Sequence, residues 1–148
     1  MKHPSSLLPE KNSKVKLPGR IGLIGNPNSG KSSLFNQLTG LNQKTGNFPG
    51  VTVERKKGKS KLPNDQSCEI IDLPGTYSIY PRSYDETVVI DSLFSDDPDE
   101  SIDLVIIVVD AANLKRNLLL FTQIRDLGIP TILAMNMVDV AKKSGLVY

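Results

Sequence analysis

A chain of 148 residues has room for one domain around one core. Its 39% hydrophobic and 23% charged content is that of an ordinary globular protein, and a formal charge of +2 singles out no class of partner. Its one cysteine, Cys68, excludes an intramolecular disulfide and fits a reducing compartment, and no apolar run reaches the eighteen or so residues of a membrane span.

In chain order, residues 1–18 are polar, carry prolines at 4, 9 and 18, and read as a flexible leader. The leader is basic (Lys2, Lys11, Lys14, Lys16), a feature that suits nucleic acid or an anionic surface, but a solvated tail is the reading preferred here. His3 lies in this tail and is not expected to be a ligand, and the start of the chain lacks the apolar core of a secretory signal. These features point to a soluble cytosolic chain. A first strand is predicted over Arg20–Ile24 and a helix over Lys31–Thr39, stopped by Gly40. Residues 41–51 show no period and form a long loop of the kind that usually serves function. Strand-like runs at Thr52–Lys61 and Cys68–Leu73 flank a hairpin turn, Pro63-Asn64-Asp65, with Cys68 as a packing residue. After a second loop (74–82), Ser83 and Glu86 make a capping box that opens a helix running to about Phe94. An acidic break (Asp96, Asp97, Asp99, Glu100, Asp103) precedes Leu104–Val109, whose unbroken β-branched run marks a strand buried on both faces. A helix over Leu114–Leu127 ends at Gly128-Ile129-Pro130, and Thr131–Met135 is the next buried strand. The order β-α-ββ-α-β-α-β predicts a three-layer α/β domain: a mostly parallel sheet, one antiparallel edge hairpin, and helices on both faces.

The chemistry lies in four short stretches. Gly25-Asn26-Pro27-Asn28-Ser29-Gly30-Lys31-Ser32 has the spacing G-x-x-x-x-G-K-[ST] and sits between a predicted strand and a predicted helix. Glycines let the backbone wrap a diphosphate, N–H groups face phosphate oxygens, Lys31 supplies charge to the β/γ oxygens, and the Ser32 hydroxyl suits Mg²⁺. Asp72-Leu73-Pro74-Gly75 ends a strand about forty residues later, where open α/β sheets bind ligands. Asp72 is placed to hold Mg²⁺ beside Ser32, and Gly75 to offer an N–H to a γ-phosphate. Thr52, closing the 41–51 loop, offers a hydroxyl that ligates Mg²⁺ only while a γ-phosphate is present, the basis of an order–disorder switch. Asn136-Met137-Val138-Asp139 ends the last strand. A carboxylate there can accept the N1–H and N2–H₂ of guanine, a donor pair that adenine lacks, so GTP is predicted over ATP.

Together these stretches resemble the G domains of small GTPases, and in detail the cytosolic N-terminal G domain of the ferrous-iron transport protein B family (FeoB). The resemblance is carried by Gly25–Asn36, Asn47–Glu54, Asp72–Ser78, Asn113–Leu118 and Gly128–Asp139, and it covers about residues 20–140. Asn136-Met137 is a specific mark, since most GTPases place Lys after that Asn. The resemblance implies a P-loop GTPase fold over residues 19–148, C-terminally incomplete: a last strand and helix, and a further guanine-contacting loop, are expected beyond Tyr148. It implies that Thr131–Met135 is left as an exposed apolar edge. Nucleotide contacts are then expected from Gly25, Asn26, Pro27, Asn28, Ser29, Gly30, Lys31, Ser32 and Ser33. Further contacts come from Gly50, Val51 and Thr52 in a first switch, Asp72, Leu73, Pro74 and Gly75 in a second, and Asn136, Met137 and Asp139 at the base. Lys31, Thr52, Gly75 and Asn28 carry catalysis. Ser32, Thr52 and Asp72 hold Mg²⁺, and Asn28 holds K⁺.

Two departures from the general GTPase pattern bear on rate. Thr76 stands where Ras-type relatives carry the water-orienting Gln, and Pro27 stands where a bulky residue obstructs an arginine finger. Slow intrinsic hydrolysis, stimulated by K⁺, is the expectation. The implied setting is the cytoplasmic side of the inner membrane, with a membrane-spanning permease domain and small cytosolic iron-transport proteins as partners and no nucleic acid. One Cys and one His make no iron site, so iron selectivity is expected to lie in that permease. The alternatives are a soluble GTPase of ribosome or tRNA maturation and a nucleotide-binding module that does not hydrolyse.

Overall fold

The computed structural model describes residues 17–42 and 55–146. Its elements in order are β1 (Arg20–Gly25), α1 (Lys31–Thr39), β2 (Lys56–Lys61), β3 (Ser67–Asp72), α2 (Tyr84–Leu93), β4 (Leu104–Asp110), a 3₁₀ turn (Ala111–Asn113), α3 (Leu114–Asp126), β5 (Thr131–Asn136) and α4 (Val138–Lys143). The five strands form one sheet in the order β2-β3-β1-β4-β5. Only β2 and β3 pair antiparallel; the other three pairs are parallel. This is the predicted architecture, a P-loop GTPase fold with one antiparallel edge hairpin.

Alternation along the strands divides the core between the two sheet faces. Ile21, Leu23, Cys68 and Ile70 face Phe35 of α1. Ile24, Ile71, Val105, Ile107 and Val109 face Val89 of α2 and Leu120 and Ile124 of α3. Leu104–Asp110 is buried on both faces as its composition requires, and Cys68 is the packing residue expected. Burial pushes the Cys68 thiol above its ordinary value.

Local chemistry sets the boundaries. Gly40 takes φ 70° and its N–H donates to the Asn36 carbonyl, closing α1. In the hairpin, the Asp65 N–H donates to the Leu62 carbonyl at 2.9 Å and the Gln66 N–H to Asn64 Oδ1 at 3.3 Å. Ser83 caps α2 by accepting from the Glu86 N–H at 3.4 Å. The return bond of the capping box goes one residue further back, since Glu86 Oε2 accepts from the Arg82 N–H at 2.6 Å.

Several expectations need correcting. β2 begins at Lys56, not Thr52: Arg55 lies outside the strand, and residues 52–54 fall outside the described ones. The pairing of Lys56 with Asp72 marks the end of the ladder. β5 pairs on one side only among the described residues, and Ile132 and Met135 are exposed (49% and 41%), so it is not a strand buried throughout. α4 had no helical period to betray it; Met137, at φ 57°, turns the chain into it within one residue of β5. Most of the leader (1–16) and nearly all of the 41–51 loop lie outside the described residues.

Candidate functional site

The carboxyl ends of β1, β3 and β5 converge on the loop between β1 and α1. This loop owes its path to close packing. A Cβ on Gly25 would stand 2.5 Å from the Val108 carbonyl oxygen and 2.8 Å from Ser29 Oγ, so the first glycine is needed because β4 runs directly beside it. Asn28 (φ 66°) and Gly30 (φ 85°) both take the left-handed conformation, the first by its tolerance as Asn and the second by lacking a Cβ that would collide with the Asn136 carboxamide. Gly30 is also the N-cap of α1, which has no side-chain cap and no acidic residue in its first turn. The positive end of that helix is therefore open to an anion.

Charge is concentrated just beyond. Lys31 is buried and its Nζ forms an ion pair with Asp72 Oδ1, itself buried. Burial draws the Lys31 ammonium below its ordinary value, Asp72 restores part of it, and Lys56, opposite Asp72 across the hairpin, adds to the lowering. Ser32 Oγ lies 3.5 Å from Asp72 Oδ2. One hydroxyl, one carboxylate and one ammonium are thus gathered from two distant parts of the chain, as the spacing predicted. The hydroxyl–carboxylate pair is a hard oxygen donor set of the kind Mg²⁺ takes. The phosphate loop also carries buried groups without a protein partner among the described residues: both carboxamide atoms of Asn26, and Ser29 Oγ. Buried polar atoms of this kind belong at a wall that meets a polar ligand. Ser33 and Asn28 are exposed at the rim. Asn28 brings an amide oxygen, a donor suited to K⁺.

The second loop packs on the first. The Thr76 N–H donates to the Gly25 carbonyl at 3.0 Å, and a Cβ on Gly75 would stand 3.2 Å from Pro27. Thr76 is fully buried, with Oγ1 donating to the Ser78 carbonyl at 2.7 Å. Thr76 therefore does structural work at the position where the general GTPase pattern has the water-orienting Gln. Leu73 is in the core, and Pro74 and Gly75 are half-buried beside it.

At the other side, Asn136 Nδ2 donates to the Ser29 carbonyl at 3.0 Å, tying the end of β5 to the phosphate loop. Met137 is half-buried, and Asp139 is exposed in the first turn of α4. The structure brings Asn136 to the loop and leaves Asp139 exposed to solvent. Gly50, Val51 and Thr52 lie outside the described residues.

Sequence reading missed one network. Asp110 accepts from the Ala112 N–H (2.8 Å) and from Asn113 Nδ2 (2.7 Å). Asn117, buried, accepts from the Asp110 N–H at 3.2 Å and donates to the Asn113 carbonyl at 2.8 Å. Asp110 pairs with Asn136, so this knot fixes β4 where β5 delivers its Asn. The signal was an Asp at a strand end followed by Asn at i+3 and i+7.

The sheet order, the G-x-x-x-x-G-K-S loop and the convergence of Asp72 and Asn136 upon it define a domain of the P-loop GTPase class. The family profile described as Ferrous iron transport protein B matches residues 19–148. The chain belongs to that family. It is 52% identical over 130 residues to the Fe(2+) transporter FeoB of Escherichia coli (strain K12), which covers 85% of this chain and 16% of that protein. The corresponding transporter of Salmonella typhimurium is 53% identical over 127 residues. The chain thus spans about one-sixth of the length of its curated relatives. Among solved structures, the FeoB G-domain of Methanococcus jannaschii matches with TM-score 0.72 at 40% identity, over 87% of this chain and 74% of that one. NFeoB of S. thermophilus bound to GDP·AlF₄⁻ and K⁺ matches with TM-score 0.74 at 52% identity, over 86% and 48%.

Proposed function

We propose that this chain binds GTP with Mg²⁺ and K⁺, hydrolyses it slowly, and serves as the cytosolic switch domain of a ferrous-iron transporter. One observation carries the nucleotide reading: Lys31, Ser32 and Asp72 meet at the mouth of a phosphate loop whose helix has a bare N-terminus. Membership of the ferrous iron transport protein B family supports the iron assignment. A relative, NFeoB of S. thermophilus, solved bound to GDP·AlF₄⁻ and K⁺, supports the potassium.

In this reading Lys31 exchanges its Asp72 partner for phosphate oxygens, which keeps a buried ammonium paired in both situations. Main-chain amides at the start of α1 receive the remaining phosphate charge. Ser32 and Asp72, with Thr52, hold Mg²⁺, whose contribution is to neutralise charge on the β and γ oxygens. Asn28 holds K⁺ at the exposed rim, where other GTPases receive an arginine. The buried Thr76 side chain faces the Ser78 carbonyl and leaves no carboxamide to orient water, hence the slow rate. Asn136 positions the base end of the site, and Asp139 accepts the guanine N–H pair. No helix among the described residues is long and apolar enough to cross a membrane. The permease, the cytoplasmic face of the membrane and small cytosolic partners belong to the longer protein.

Single-turnover hydrolysis in KCl against NaCl is the test. Faster turnover in KCl, lost in Asn28→Ala, is the expected result. Equal rates remove the potassium role, and binding with no turnover makes the chain a nucleotide-binding module only.

A further inference from the structure

The loop after Gly75 is held at two ends by different elements. Toward β1, the Thr76 N–H bonds to the Gly25 carbonyl and Gly75 rests on Pro27. Toward α3, the Ile79 N–H lies 3.1 Å from Gln123 Oε1, and Ser78 Oγ lies 3.0 Å from the same atom. A main-chain N–H can only donate, so the atom it faces is the carboxamide oxygen. The Ser78 hydroxyl then gives its proton to that oxygen too, and its lone pair accepts from the Tyr80 N–H at 3.2 Å. One half-buried carboxamide therefore fixes three consecutive residues. Its neighbours on α3, Leu120 and Ile124, are fully buried in the core, so its own base is rigid. About two α3 turns earlier, the Arg116 guanidinium lies over the Tyr77 ring, 4.2 Å from its centroid.

We propose that Gln123 is a positioning residue: it latches residues 78–80 to α3 and so holds Gly75 and Thr76 against the phosphate loop before nucleotide arrives. This rests on the GTP reading above. Ordering a free loop costs conformational entropy at every residue fixed. A loop already held spares the ligand that cost, and only a ligand reaching Gly75 gains from it. A γ-phosphate reaches Gly75 in this reading and a diphosphate does not. Gln123 therefore favours triphosphate over diphosphate without touching either.

Three variants of the full chain test this: Gln123→Leu, which removes the acceptor at similar size; Gln123→Glu, which keeps two acceptor oxygens; and Ser78→Ala, which removes the hydroxyl's bonds to Gln123 and to the Tyr80 N–H and leaves α3 and the Ile79–Gln123 bond untouched. The readouts are calorimetric affinities for a non-hydrolysable GTP analogue and for GDP, and hydrogen exchange at the Ile79 and Tyr80 amides without nucleotide. Gln123→Leu is expected to weaken the analogue about 5–10-fold, the effect of one or two lost hydrogen bonds, while GDP changes less than about twofold. Exchange at Ile79 rises about tenfold. Gln123→Glu restores both, and Ser78→Ala shifts them in the same direction by less, which keeps the test alive if Gln123→Leu misfolds. Equal weakening of both nucleotides, or no change in either, overturns the latch alone. A wild-type chain that takes up no guanine nucleotide overturns the GTP reading instead, and the γ-phosphate role with it.

Discussion

The two halves of the site are built differently. On the phosphate side, Gly25, Gly30 and Lys31 are each constrained by a neighbour: the Val108 carbonyl, the Asn136 carboxamide and the Asp72 carboxylate. On the base side, Asn136 makes one bond to the loop, Met137 sits at a positive φ, and Asp139 is exposed on a six-residue helix. Under the proposed nucleotide reading, affinity for phosphates is thereby tied to the fold, and the choice of base is left to side chains that carry little structural load. A fold-preserving change of base preference is open on one side and closed on the other.

Lys31→Ala is the most severe way to break that contrast. It removes the phosphate cation and leaves the buried Asp72 charge unpaired. Triphosphate affinity is expected to fall more than about 10³-fold by calorimetry, with a lower melting temperature besides. Asp139→Asn should act on the base side alone. Loss of a charged acceptor predicts a fall in guanosine-over-adenosine preference of about 10²-fold, with no shift in melting temperature because the side chain is exposed. A melting shift as large as that of Lys31→Ala would refute the division of labour.

The same contrast decides how much was legible in the sequence. The phosphate loop is contiguous, so its glycines, lysine and serine declare strand, turn, helix and ligand in eight letters. Leu104–Val109 was equally plain, because burial on both faces demands an unbroken apolar run. Asp72 and Asn136 were readable only as members of a series in the right order. What escaped depends on contacts between distant segments. Gln123 is one polar residue in a helix and says nothing of Ser78 until α3 and the second loop are packed. Thr76 reads as a mere substitution, and only its burial shows that it has been put to structural use. α4 is short, and the switch into it is made by Met137 at φ 57°, a geometry that no propensity favours in Met. Composition alone makes Thr131–Met135 a buried strand, because it reports apolarity and not whether a second neighbour is present; the family resemblance makes it the exposed edge that is observed among the described residues.

A smaller effect sharpens the packing argument. Gly25→Ala places a methyl 2.5 Å from the Val108 carbonyl, a main-chain atom that cannot swing aside. A loss of about 1–3 kcal/mol in denaturant unfolding is expected, through displacement of β1 from β4. Gly128→Ala is the control. A Cβ there meets nothing within 4 Å, so its cost is only that of a positive φ (77°), about 1 kcal/mol. A loss at Gly25 no larger than that at Gly128 would mean that β4 gives way to the methyl and that its approach does not explain the first glycine.

The smallest predicted effect is one of pH. The Lys31 ammonium is held below its ordinary 10.5 by burial. Between its value in the folded chain and 10.5, the unfolded chain binds more protons at this site, so stability contributed by the site rises with pH across that window. Below the window both states are protonated, and the full cost of burying the charge is felt. Lys31→Met removes the titrating group. The difference in unfolding free energy, wild type minus Lys31→Met, should therefore climb with pH on the approach to 10.5. A difference that falls with pH there would mean that the Asp72 pairing outweighs burial and raises the ammonium instead. The exchange of partners proposed for Lys31 would then start from a stronger bond to Asp72 than burial allows, and phosphate would have to displace it at greater cost.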